Sequence, residues 1–300
     1  MNSTRPPWAN RGEGRFFTRI EVTTMLNGAM LALPLHVVTG TRDGPTLGVI
    51  TNVHGDEFLP TTVIRQLIGE LDPARMRGRL AVVSVANPLA TANFGRQTPE
   101  QHGRTAGGRG GRLQARVDYN SKAPAPVKRK SLEFSRAFGA PFVHENDLTG
   151  TASHYLNGKG IATANPEVGG AYLGPDDTAH YFRQCLTGLR NLMAALGMLP
   201  GYRIVRPKKQ LLFNQKGRRE LRPAHSGYLV SHYQRPQDLG KLIRKGTRLG
   251  ETVDIYSYRV LEEIRAPFDG YLFFSRYSGV VGAGTQAFAL AEAATSEWLR

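Results

Sequence analysis

Thr46-Leu-Gly-Val-Ile-Thr-Asn-Val-His54-Gly55-Asp56-Glu57 is the stretch on which the reading of this chain turns. Leu47, Val49, Ile50 and Val53 make an apolar run that predicts a strand entering a sheet core. Leu59, Val63, Ile64 and Leu67 then recur at helical spacing, so the strand opens into a helix. Between them stand an imidazole and a carboxylate three residues apart, with a glycine between. A tight turn there aims His54 and Glu57 at one point, in the crevice at a strand's carboxyl end where open α/β sheets place their sites. Nitrogen and carboxylate oxygen suit Zn²⁺, and a catalytic zinc takes three protein ligands with one position left for water. The plainer alternative is a strand-end turn whose polar pair binds nothing.

The surroundings carry more. Gly44-Pro45-Thr46-Leu47 precedes the strand, Val85-Ala-Asn87-Pro88 follows the next one, and Arg96 lies beyond. With His54-Gly-Asp-Glu57 this set resembles the succinylglutamate desuccinylase/aspartoacylase family, a branch of the zinc-carboxypeptidase fold. Members of that family hydrolyse the amide of N-acyl amino acids with one zinc ion. The resemblance extends over about residues 33–100 and 132–294. It implies that His54 and Glu57 are two of three zinc ligands and that Arg96 helps to hold the substrate's carboxylate. A guanidinium suits that task because its fork pairs with a carboxylate in bidentate fashion. An ordinary surface arginine is the alternative at that position.

Composition bounds the rest. Three hundred residues, 40% of them hydrophobic, suffice for one large or two modest domains with a real core. No apolar run reaches the roughly 18–20 residues of a membrane span, and the segment Met1 to Trp8 lacks the apolar region of a signal peptide. Cys185 is the only cysteine, which excludes a disulfide framework and a cysteine-based zinc site. A cytoplasmic protein fits these features. The net charge of +15 attracts anions generally, whether nucleic acid, acidic membrane or a carboxylate substrate. Much of it lies between Arg104 and Arg136.

In chain order, residues 1–15 read as a loose arm. Strands are expected over 16–22, 31–39 and 80–86, with a helix over 59–71 that Asp72-Pro73 ends. The alternation indicates an α/β domain over 16–200, a mixed sheet flanked by helices. Within it, residues 101–131 form a basic, glycine-rich loop, with Gly107-Gly-Arg-Gly-Gly-Arg112 and Lys128-Arg-Lys130. Such a loop binds nucleic acid by neutralising phosphates, but it lacks interleaved aromatic stacking residues, so a solvated loop near an anion site is the favoured reading.

The family pattern breaks after that loop. Where relatives carry Asp-x-Asn-Arg, this chain has Asp118-Tyr-Asn120-Ser121. Asn120 keeps a substrate-binding position by resemblance, while the arginine is gone and Lys122 offers only a point charge. Relatives then continue through a helix and a strand ending in Asp-x-His, which supplies the third zinc ligand. Here Asn120 is followed by a link broken by Pro124 and Pro126, then by Leu132 to Pro141. The expectation is an internal deletion that removes a strand with its ligand and leaves neighbouring strand edges unpaired. His144, in Phe142-Val-His144-Glu145, is the nearest substitute ligand, and His154 and His102 are also at hand.

Further on, Asn165-Pro-Glu167-Val-Gly169 takes the place of the family's Glu-x-Gly. By resemblance Glu167 is the general base and acid, a carboxylate that takes a proton from water and passes it to the leaving amine. Residues 176–197 read as an amphipathic helix ended by Gly197. From 201 to 300, short β-rich runs with Lys245-Gly246 and Asp269-Gly270 turns resemble a small all-β domain of the barrel-sandwich kind, without a carrier lysine at its hairpin tip.

The expected function is a zinc-dependent amidohydrolase acting on a small anionic N-acyl amino acid, with no membrane partner. Two rivals stand beside it. One is a catalytically impaired member that acts as a binding protein, and the other is a nucleic-acid-binding protein using the basic loop.

Overall fold

A computed structural model of the chain describes residues 12–97, 111–170 and 173–300. Its contacts gather into two compact units. Met1–Ala106 with Cys185–Ile204 make the first, and Gly107–Gln184 with Val205–Arg300 make the second. Residues 1–11 of the expected arm and residues 101–110 of the expected basic loop, with His102, lie outside the described residues.

The first unit contains β1 (Gly14–Thr24), β2 (Met30–Thr39), β3 (Arg42–Ile50), α1 (Leu59–Glu70), β4 (Arg77–Val83) and α2 (Pro88–Ala92). The sheet order is β1-β2-β4-β3. β1 pairs antiparallel with β2, β2 pairs antiparallel with β4, and β3 runs parallel to β4. A parallel pair requires a crossover, and α1 supplies it. Its Val63, Ile64 and Leu67 are buried, as are Leu35, Val37, Leu47, Leu80 and Val82 of the strands. Several boundaries differ from the sequence expectation, and β1 already begins at Gly14, inside the segment read as a loose arm. β3 starts at Arg42, before the run that predicted it, through an irregular register between Arg42 and Thr46. β4 ends at Val83 rather than 86, because the backbone beyond it turns to the loop after β3 instead of to a strand.

The second unit opens with β5 (Gly111–Leu113), β6 (Arg116–Asn120), α3 (Ala125–Phe138), β7 (Phe142–Asn146), α4 (Ala152–Gly158), β8 (Asn165–Glu167) and the first half of α5 (Pro175–Ala195). It continues with β9 (Gln210–Asn214), β10 (Arg218–Leu221), β11 (Gly227–Ser231), β12 (Leu242–Ile243), β13 (Arg248–Val253) and β14 (Val260–Arg265). It closes with β15 (Gly270–Arg276), β16 (Gly279–Val281), β17 (Phe288–Glu292) and β18 (Glu297–Leu299). One mixed sheet has the order β18-β9-β7-β6-β8, with β6, β7 and β9 parallel. β9 and β18 come from beyond residue 200 and still belong to this α/β layer.

Two expectations for this region are overturned. The segment read as a proline-broken link is the start of α3. Pro124 is its N-cap and Pro126 sits in its first turn, where a missing N–H is tolerated. Gly139, at φ 89°, ends it in the left-handed conformation. The strand edges expected to stand unpaired here are also filled. β6 is wholly buried, pairs with β7 on one side and β8 on the other, and ends on Asp118-Tyr-Asn120.

The remaining strands form two antiparallel sheets, β10-β17-β15-β12 with β5 against β15, and β14-β13-β11-β16. Leu229, Leu249, Leu272, Phe288 and Leu290 fill the core that they share. The fold class read from the sequence, a mixed sheet with helices and antiparallel sheets in the C-terminal part, is therefore what the chain adopts. No helix among the described residues is long and apolar enough to cross a membrane.

Candidate functional site

The loop after β3 is tied down along its length. Thr51 donates its N–H to the Val83 carbonyl (3.0 Å), and its own carbonyl accepts from Ala86 (2.9 Å). Asn52 is buried with φ +52°, a conformation that asparagine tolerates because its short amide bonds locally. Its carbonyl accepts from Asn87 N–H (3.1 Å), and its Oδ1 accepts the Thr61 hydroxyl of α1 (2.6 Å). Asn87 caps α2 through Oδ1 and the Ala90 N–H (3.1 Å). Gly55 lies directly on α2, since a Cβ there would stand 2.1 Å from the Ala90 carbonyl carbon and 2.3 Å from the Thr91 nitrogen. Only glycine lets the two backbones approach this closely. The Glu57 N–H then returns to the His54 carbonyl (3.3 Å), closing the turn.

That turn brings the two side chains together, as the spacing predicts. The His54 Nδ1 lies 3.1 Å from the Glu57 Oε1, with the side chains 34% and 37% exposed. Arg96, 39 residues further along, donates through Nη1 to the same oxygen at 2.7 Å. Burial raises the Glu57 pKa, but the hydrogen bond and charge of His54 and the charge of Arg96 outweigh it, and the carboxyl lies below its ordinary value. The neighbouring Asp56 Oδ1 is buried without a hydrogen-bond partner.

Donors bound to one zinc at about 2.0–2.2 Å in a tetrahedron stand about 3.4 Å apart, so the His54–Glu57 separation suits two ligands of a single ion. A third is not supplied by the same cluster. Among the described residues no group of three His, Cys, Asp or Glu side chains converges as a metal site would need.

His144, the substitute read from the sequence, belongs to the second unit and to its core. It is fully buried and stacks on Phe213, with ring centroids 4.3 Å apart and 12° between planes. Its Nδ1 faces the Asp118 Oδ2 at 3.4 Å, yet neither ring nitrogen makes an aligned hydrogen bond. Burial lowers its pKa against the pull of Asp118, so the ring is neutral near pH 7. This is a core histidine, and its local motif does not distinguish it from a ligand.

Around it lies a polar network that the sequence reading missed. Arg116 Nε holds the Asp118 Oδ1 at 2.8 Å, and the Asn146 Nδ2 holds the Asp118 Oδ2 at 2.8 Å. Burial raises the Asp118 pKa, but the Arg116 guanidinium reverses it and keeps the carboxyl well below the usual range. Arg116 and Glu167 are register partners across β6 and β8, with Nη2 and Oε2 4.0 Å apart. The Glu167 Oε1 also accepts from the Asn165 Nδ2 at 3.3 Å. Asn120 is buried at the end of β6, its Oδ1 taken by the Lys122 N–H (3.0 Å) and its Nδ2 without a partner. Arg116, Asp118 and Asn120 alternate along one strand, a period-two signal that was open to reading. Thus His54, Glu57 and Arg96 meet in the first unit, while Asn120, His144 and Glu167 belong to the second.

A family model for the succinylglutamate desuccinylase/aspartoacylase catalytic domain matches residues 43–109, the segment that holds His54, Glu57 and Arg96. Solved structures match over nearly the whole chain. A succinylglutamate desuccinylase/aspartoacylase from Rhodobacter sphaeroides has a TM-score of 0.75 at 18% identity, covering 94% of this chain and 97% of its own. The fold is that of the succinylglutamate desuccinylase/aspartoacylase family. The resemblance read from the sequence is borne out by this agreement. The product-bound ectoine utilization protein EutE (DoeB) from Ruegeria pomeroyi gives 0.77 at 17% identity, over 94% of this chain and 97% of its own. An aspartoacylase family protein from Mesorhizobium loti gives 0.74 at 18%, over 93% and 95%. No curated protein matches the sequence.

Proposed function

We propose that the chain is an amidohydrolase that removes the acyl group from a small anionic N-acyl amino acid, with one zinc ion held by His54 and Glu57. The observation that carries this reading is the convergence of His54, Glu57 and Arg96 on one carboxylate oxygen. When bound, zinc polarises the acyl carbonyl and lowers the pKa of water. Arg96 exchanges its bond to Glu57 for the substrate's carboxylate, a bidentate pairing that fixes orientation. The resemblance gives Asn120 a substrate-binding role as well. Glu167 carries the proton from water to the leaving amine.

The test is zinc content and turnover of the same preparation. Protein loaded with zinc and dialysed is expected to retain about one ion per chain and to hydrolyse N-acetyl amino acids. His54→Ala and Glu57→Ala each lose the ion, while Glu167→Gln keeps it and loses turnover by about 10²–10⁴-fold. A chain that takes up no zinc and hydrolyses none of these substrates overturns the reading.

One observation favours a second reading, a binding protein without catalysis. The cluster contains two donors, and Arg96 already neutralises Glu57. That reading expects N-acyl amino acids to bind with neither zinc uptake nor turnover.

A further inference from the structure

Glu57 and Arg96 are not the only residues that bring these two segments together. The residue after Glu57 is Phe58, and two residues before Arg96 is Phe94. Their rings face each other at 6.3 Å between centroids, tilted by 54°. So the same two loops meet twice, once through an ion pair and once through an aromatic pair. Both rings stay open to solvent, Phe58 at 43% and Phe94 at 75%. Core packing does not account for them.

Phe94 is also in a conformation that phenylalanine disfavours. α2 ends in a Schellman turn. The Phe94 N–H bonds the Thr91 carbonyl (3.1 Å), and the Gly95 N–H bonds the Ala90 carbonyl (3.0 Å). The left-handed position in that turn normally takes glycine, because a Cβ there crowds the backbone. Here Phe94 occupies it, at φ +51°, and the glycine stands one place later. A strained, exposed aromatic beside a charged cluster is the kind of outlier from which a functional constraint is inferred.

We infer that Phe58 and Phe94 form an apolar wall of the substrate site and select N-acyl amino acids with an apolar side chain. This rests on the reading of Arg96 as the carboxylate anchor. An amino acid bears its carboxylate and its side chain on one carbon. A carboxylate on Arg96 therefore delivers the side chain toward the aromatic pair held by the same two loops. Aspartyl and glutamyl side chains gain nothing from that wall, whereas leucyl and phenylalanyl ones exchange water for ring contact.

The experiment compares N-acetylphenylalanine, N-acetylleucine, N-acetylaspartate and N-acetylglycine, by kcat/KM on the zinc-loaded chain and by calorimetric binding. The apolar substrates are expected to lead N-acetylglycine and N-acetylaspartate by about tenfold or more. Phe94→Gly collapses that ratio to within about threefold and, by relieving the left-handed strain, raises Tm by a few degrees. Phe58→Ala collapses the ratio as well. Equal handling of the four compounds by the native chain, an unchanged ratio in Phe94→Gly, or a fall in its Tm overturns the inference. If the chain turns over none of them but binds the apolar ones selectively, the wall stands and the hydrolase reading falls. If it binds none, both fall.

Discussion

Gly55→Ala is the sharpest perturbation of the site that leaves every donor in place. A Cβ at residue 55 would stand 2.1 Å from the Ala90 carbonyl carbon, and ordinary contact begins near 3.4 Å, so the shortfall is about 1.3 Å. The neighbours are backbone atoms of α2, and no rotamer relieves them. α2 cannot yield cheaply, since Asn87 both caps it and bonds Asn52. The loop that carries His54 and Glu57 must therefore lift away. Overpacking of this kind costs about 1–3 kcal/mol. A displacement of about 1 Å at a reacting centre lowers turnover by about 10²-fold. Urea unfolding with linear extrapolation reads the first effect. Hydrolysis of an N-acetyl amino acid reads the second. Gly48→Ala on β3 is the control, because a Cβ there meets nothing within 4 Å. If Gly55→Ala unfolds within about 0.5 kcal/mol of the native chain, the close approach is not what fixes this loop.

Asp118→Asn removes the charge that Arg116 faces in the buried network, and breaking such a pair costs about 3–5 kcal/mol at pH 7. The sign with pH follows from the depressed carboxyl of Asp118. Its contribution is present above the unfolded carboxylate pKa of about 3.9 and is lost as pH falls through the folded value, so urea midpoints at pH 3 and pH 7 differ less in Asp118→Asn than in the native chain. Asn52→Ala gives up the Thr61 hydrogen bond and leaves alanine at φ +52°, a loss of about 1–3 kcal/mol in urea unfolding. Zinc at a hundredfold excess over its dissociation constant stabilises the native chain by about 2.7 kcal/mol in thermal melts, and His54→Ala abolishes the gain. Equal zinc responses in the two chains would remove His54 from the ligand set.

What could be read from the sequence was local. The apolar spacing of Leu47 to Val53 and of Leu59 to Leu67 sets a strand and a helix within one window, and the turn between them follows from His54-Gly-Asp-Glu57. The His54–Glu57 approach is such a local feature, three residues in span. The start of α3 was missed although it too is local, because Pro124 and Pro126 signal a break in a helix interior and a favourable start in a first turn, and only the partners of β6 and β7 decide between them. The fate of His144 was illegible for another reason. Whether an imidazole is a ligand or a core ring depends on what lies above it, and Phe213 arrives from 69 residues further along the chain. Arg116 was legible in part, as one of three polar residues on one face of a strand, but its pairing with Glu167 needed the antiparallel register of β8. Sequence by itself determined β3, α1 and the one contact built inside the turn between them. The tertiary structure decided that Arg96 shares the Glu57 oxygen, that Phe94 meets Phe58 and that Asp118 is buried with its counter-charge, because those contacts depend on which distant strands and turns pair, and no window of local periodicity encodes that.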